Sequence, residues 1–161
     1  MLHGMTVGRA KDVGVLKQLI ENESSDGRAL ARNLADNPIC TVTRDDSVPC
    51  LFVQWKNCAT NAQIRFIHEC LIDLIKGQGV SKILGDDTAL VNISTGDQDW
   101  IAQDWLPRAM LAGLRTASSK GPNGYHGRTS VIRIQSMLSS KLIIRSFDDL
   151  ENARKWLASV A

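Results

Sequence analysis

From Ile39 onward, β-rich runs alternate with stretches of helical periodicity, and this alternation restricts the chain to a sheet covered by helices. "ICTVTRDDSVPCLFVQW" has two β-rich runs around a polar "RDDS", with Pro49 at the entry of the second, which predicts a β-hairpin. In "NCATNAQIRFIHECLIDLIKGQG", Thr60 and Gln63 have capping-box spacing. Ile64, Ile67, Leu71, Leu74 and Ile75 form the apolar stripe of that helix, and Gly77 or Gly79 ends it. "VSKILGD" is a short strand after a helix and should pair in parallel. "RTASS" stands where a further strand belongs, although it is unusually polar. "TSVIRIQSML" puts Val131, Ile134 and Leu138 on one helical face, and "KLIIRSF" is a strand. "DDLENARKWLASV" is a final helix: Ser146 and Asp149 have capping-box spacing, and Leu150, Ala153, Trp156, Leu157 and Val160 face inward. The expected fold is α/β, a mixed β-sheet with helices packed on it, in the order β-β-α-β-α-β-α-β-α over residues 38–161. Residues 1–37 read as an N-terminal helical extension. Val13, Leu16 and Leu19/Ile20 have helical spacing there, and a second short helix has Ser25 as N-cap and Pro38 just past its end.

The chain has 161 residues, about one domain, and can bury roughly two-thirds of its unfolded surface without a metal or disulfide staple. A net charge of +2 is too small to argue for nucleic acid or a membrane surface. No stretch approaches the roughly 20 apolar residues of a membrane span. The first residues lack a basic region followed by a long apolar run, so the expected location is cytoplasmic. Cys40, Cys50, Cys58 and Cys70 lack C-x-x-C spacing and read as small buried side chains. A disulfide between Cys40 and Cys50 would require the two to face each other across the hairpin. His3, His68 and His126 are scattered, so no metal site and no cofactor are expected.

The stretch "GDQDWIAQDWLPRAMLAGLR", Gly96 to Arg115, is helical in pattern yet apolar almost all round. Trp100, Pro107, Leu111 and Leu114 share one face, while Ile101, Trp105, Ala109 and Ala112 cover much of another. Asp104 and Arg108 are spaced for an ion pair on the exposed strip. Pro107 removes the hydrogen bond to the Gln103 carbonyl and should kink the helix. A helix on a sheet needs one apolar stripe, so this one needs a second neighbour. The N-terminal extension, another subunit or a bound apolar ligand would each serve.

The segments "VQWKNCAT", "KILGDDT", "DQDWIAQDWLPRAMLAGLR", "HGRTSV" and "IIRSFDDLENARKWL" resemble those of STAS-like domains, also called SpoIIAA-like. The likeness is closest to a bacterial group of small stand-alone proteins of that fold and spans residues 38 to 160. It implies a binding or regulatory module and not an enzyme, with a protein partner or self-association, and in some members a switch by serine phosphorylation. Ser94 and Thr95 are the positional counterparts of that serine, although "VNISTGDQD" lacks the antagonists' aspartate-serine-x-glycine, and both also suit a plain helix cap.

Three further features complete the candidates. From Ile83 to Pro107 there are five acids and no base, and from Trp105 to Phe147 seven bases and no acid. Solvated faces or an oriented interface would both account for this. "SSKGPNGYHGRTS" places Lys120, Gly127 and Arg128 at a loop-to-helix junction of the kind that can hold an anion, without P-loop spacing. Asp86 and Asp87 end a strand, where α/β proteins place ligands, but lack a nucleophile or histidine beside them, so no catalytic set is assigned. Two functions remain in view. One is a non-enzymatic, protein-binding or homodimeric module that uses Trp100, Trp105 and Arg108 as its contact. The other is a module holding a small apolar or lipid-like molecule under the kinked helix, with Arg128 and the glycine loop at its anionic end.

Overall fold

The computed structural model describes residues 32–36, 39–57 and 59–161. Six strands form one mixed sheet: β1 (Arg32–Asp36), β2 (Cys40–Asp45), β3 (Cys50–Trp55), β4 (Lys82–Asp86), β5 (Thr116–Lys120) and β6 (Ile143–Phe147), in linear order. β1 to β3 are antiparallel, and β3 to β6 run parallel. Four helices accompany them among the described residues. α1 is Asn61–Gln78, α3 is Tyr125–Leu138 and α4 is Leu150–Ser159. α2 is continuous from Thr95–Trp100 through a π-helical turn, Ile101–Trp105, into Leu106–Ala112.

The hairpin, the capping box and the alternating units lie where the pattern places them. Thr60 accepts from the Gln63 N–H at 3.2 Å, and the Thr60 N–H donates to Gln63 Oε1 at 2.9 Å. Gly79 closes α1 in the left-handed conformation at φ 60°, which a side chain would disfavour. Asp149 caps α4. The polar run after Arg115 is indeed a central strand, β5.

Residues 32–36 correct the reading of the N-terminal segment. The sequence pattern puts them at the end of a helix, but they form β1, an edge strand paired with β2 through a register shift between Asn33 and Ala35. Leu34 and Ala35 suit a helix locally, but the open edge of β2 offers a hydrogen-bonding ladder, and such tertiary pairing overrides weak propensity. The boundary between residues 37 and 38 falls in the β1–β2 connection. The remainder of the predicted extension, with His3, Pro38 and Cys58, lies outside the described residues.

The parallel strands advance in one direction, so crossovers of a single hand place α1, α2 and α3 on the same face. Side chains alternate accordingly. Leu51, Val53 and Trp55 of β3 join the cluster under the three helices, while Cys50 and Phe52 join the one under α4 with Leu84, Ala153 and Leu157. Cys40 and Cys50 therefore lie on opposite faces at opposite ends of the hairpin, paired with Trp55 and Asp45, and are not joined to each other.

α2 sits between α1 and α3, and this explains its composition. A middle helix in a layer needs apolar surface toward the sheet and toward both flanks. Ile101, Trp105, Leu106 and Ala109 are buried, and Leu111 is left in solvent at 89% exposure. The break expected at Pro107 takes the form of the π turn just before it, where the Leu106 N–H reaches back to the Ile101 carbonyl.

Candidate functional site

A cavity between the sheet and its three-helix face is the candidate site. On this face β4 and β5 present small residues side by side. Gly85 is in register with Ser119, and Ala117 lies one step below it, opposite Ile83. The helices above contribute large side chains, including Ile64, Leu71, Trp105, Ile134 and Leu138. A floor of small residues under such a roof cannot be filled, and a space of about 150 Å³ remains. Its lining is apolar except for His68, Asp87, Ser118, Ser119 and Gln135, and includes no Lys or Arg among the described residues.

Asp87 stands at the end of this space nearest the carboxyl ends of the strands. Its N–H donates to the Lys120 carbonyl at 3.0 Å, so the β4–β5 ladder continues one step past the strand. Alternation then turns its side chain to the cavity face, as with Gly85. A Cβ built on Gly85 would lie 3.1 Å from Asp87 Oδ1 and 3.3 Å from the Ser119 Cβ. The carboxyl group thus folds back over Gly85, and only the missing side chain leaves it room. Burial pushes the acid up to about 7, opposed by a hydrogen bond from Ser119, reinforced by the charge of Asp86 and opposed again by Lys120.

Asp86 points to the other face. It accepts from the Thr88 N–H at 3.1 Å and from Gln54 at 3.3 Å. Burial raises it, but the hydrogen bonds of Thr88 and Gln54, with Lys120 nearby, hold it below the usual carboxylate range. One strand end therefore carries a low-pKa acid on one side and, on the other, an acid that titrates near neutral pH.

His68 lines the cavity from α1, with Trp105 edge-on to it at 4.9 Å and Trp55 tilted at 6.2 Å. Burial lowers its pKa, so the ring is neutral at pH 7. Nδ1 lies 2.8 Å from the Ile64 carbonyl, which can only accept. The proton therefore sits on Nδ1, and Nε2 carries a lone pair.

The residues singled out in the sequence are dispersed. Trp105 is a core residue at 5% exposure and donates its indole N–H to the His68 carbonyl at 2.6 Å, so it is not available as a surface anchor. Trp100 is half-buried under the guanidinium groups of Arg65 and Arg108, at 5.1 and 6.0 Å. Arg108 grips both carboxylate oxygens of Glu69, at 2.8 and 2.6 Å, and Asp104 at 2.6 Å. Ser94 is the N-cap of α2, accepting from the Asp97 N–H at 3.1 Å, while Thr95 lies exposed in the first turn. The acidic block is met within the chain: Asp97 by Arg65 at 2.7 Å, Asp99 by Arg133 at 2.9 Å, Asp104 by Arg108.

The loop residues Lys120, Gly127 and Arg128 do not converge on the apolar cavity. Lys120 donates to Thr88 and Arg128 to the Pro122 carbonyl, at 2.7 and 2.9 Å. Both line a separate depression of about 360 Å³ that also contains Asp148. Gly127 serves close packing, because a Cβ there would lie 2.5 Å from the Leu90 carbonyl. Sequence reasoning missed Gly85, Ala117, Ser119, Gln135 and His68 as a set. The one signal was the polar, small-residue composition of β5 in a position that should be buried. Among the described residues no group of His, Cys, Asp and Glu has the arrangement of a metal site, and no helix is long and apolar enough to cross a membrane.

In comparisons with known proteins, no family model matches the chain and no curated protein matches it.

Proposed function

We propose that this is a non-enzymatic, STAS-like binding module whose task is to hold a small apolar molecule between its sheet and the Trp/Pro helix. The observation that carries this reading is the cavity of about 150 Å³ floored by Gly85, Ala117 and Ser119. Native interiors are close-packed, and a void forfeits dispersion contacts that one larger β5 side chain would restore. A largely apolar space of this size accepts a molecule of about benzene's dimensions. The protein-partner reading drew its support from an apolar helix without enough cover, and α1 and α3 supply that cover.

The test is titration of the labelled protein with toluene, followed by NMR. Toluene should perturb the methyl groups of Ala117, Leu90 and Ile134, and Ala117→Leu, which fills the floor, should abolish the effect while the protein stays folded. Absence of binding up to the solubility of toluene, or binding unchanged by Ala117→Leu, would overturn the reading.

A further inference from the structure

The cavity has a polarity as well as a volume, and this concerns the ligand's polar end. Its two ionisable lining groups are on opposite walls, Asp87 on the sheet just past the end of β4 and His68 on α1. Both offer oxygen or nitrogen lone pairs: Asp87 as a carboxyl group over Gly85, His68 as a neutral ring whose only proton is held by the Ile64 carbonyl. Ser118 spends its hydroxyl proton on the Ala153 carbonyl at 3.0 Å, and Gln135 directs its amide N–H₂ to Ser146. With Ser119 already bonded to Asp87, the donors nearby are largely committed, and among the described residues no Lys or Arg lines the space to balance the acceptors. Around Asp87 stand Asp86 and Lys120 on the adjoining strand ends, Ser119 beside it and the Cys40 thiol on β2. Lys120 is turned to Thr88 and Asn123 and does not line the cavity.

We propose that the ligand is a one-ring-sized apolar molecule with a single hydrogen-bond-donating head, an amine or a hydroxyl, received by Asp87. This rests on the small-ligand reading above and replaces its anionic variant, since a carboxylate or phosphate would be brought against an acid with no cation in the lining. Partial burial of the acid supports the assignment: a partly desolvated carboxyl group gains more from a donor than a fully hydrated one does. An amine would also draw the proton off Asp87 and bind as an ion pair.

The experiment compares five one-ring probes on the full chain by calorimetry at pH 8, where an acid pushed up to about 7 is mostly ionised. The probes are toluene, anisole, phenol, benzylamine and benzoate. Phenol or benzylamine should bind at least about tenfold tighter than toluene and anisole, the discrimination expected when a buried polar group is left unpaired. Benzoate should be the weakest. Asp87→Leu should remove the preference and leave toluene binding. Asp87→Asn, which preserves shape, should remove the benzylamine preference. Benzylamine gaining affinity from pH 6 to pH 8 while phenol stays level marks the amine as the fitting head; the reverse ranking marks the hydroxyl. Equal affinity for toluene, anisole, phenol and benzylamine, or a preference that survives both variants, overturns the donor-head proposal while the cavity reading stands. Failure of every probe, toluene included, overturns both.

Discussion

The two faces of the sheet are built from the same strands but packed to different ends. Under α4, Leu84, Cys50, Ala153 and Leu157 are buried at 0% exposure, and Ser118 is tied to the Ala153 carbonyl. Under α1 to α3 the same β4 and β5 present Gly85, Ala117 and Ser119 to large helical side chains and leave a space. The face that closes fully is covered by one short helix, and the face with the void by three. The difference teaches that the void does not follow from a shortage of apolar material. It follows from where the small residues stand, at one alternation phase of two central strands.

The largest effect should come from the roof of the open face. Trp105→Ala removes a buried indole and its hydrogen bond to the His68 carbonyl, which should cost about 3–5 kcal/mol in denaturant unfolding. A loss below about 1 kcal/mol would mean that the roof is not packed as described.

Next is the charge on the same face. An acid raised from 3.8 to about 7 keeps its proton in the folded state over a range where the unfolded chain has lost it. Folded molecules then bind more protons, so this group's contribution to stability falls as pH rises from about 4 to about 7, and the deficit is complete above that. Asp87→Asn abolishes the deficit. Allowing for the solvent contact the carboxyl retains, the variant should exceed the parent by ~3 kcal/mol at pH 8 and match it near pH 4. His68 acts with the opposite sign: its lowered pKa removes stability as pH falls below 6.5. It is present in both proteins and cancels in the difference. Equal pH profiles for the two would show that Asp87 is hydrated and does not border a dry space.

Much of the sheet was legible because it rests on local rules. The Thr60 capping box and the parallel pairing of β4 after a helix follow from spacing, whereas the Ser146–Asp149 spacing misplaced the last cap by three residues. The β1 strand was not legible: nothing local in "RNLAD" opposes a helix, and only the free edge of β2 makes it a strand. The site was legible by its pieces and not by its assembly. Asp87 stood out as a strand-end acid and "TASSK" as too polar for its place. Neither fact says which side of a strand meets which helix until the β4–β5 register sets Gly85 beside Ser119. Trp105 misled for the same reason. A helix apolar all round looks unpartnered until the layer order shows that it is the middle of three.

The most direct comparison of the two faces adds the same side chain to each. Ala153 is buried at 0% in the layer under α4, and Ala117 lies on the cavity floor on the other side of the sheet. Ala153→Leu forces three carbons into a filled layer against Ser118 and should cost about 1–3 kcal/mol through displaced neighbours. Ala117→Leu extends into a space of about 150 Å³, larger than the added atoms. New dispersion attraction to Ile134 and Trp105 should offset the rotamer entropy lost, leaving stability within about 1 kcal/mol of the parent. The contrast is sharper than either number, since host helix and strand effects are small beside overpacking. If the two substitutions cost the same, the floor of the cavity is as full as the layer beneath α4, and the difference between the faces disappears.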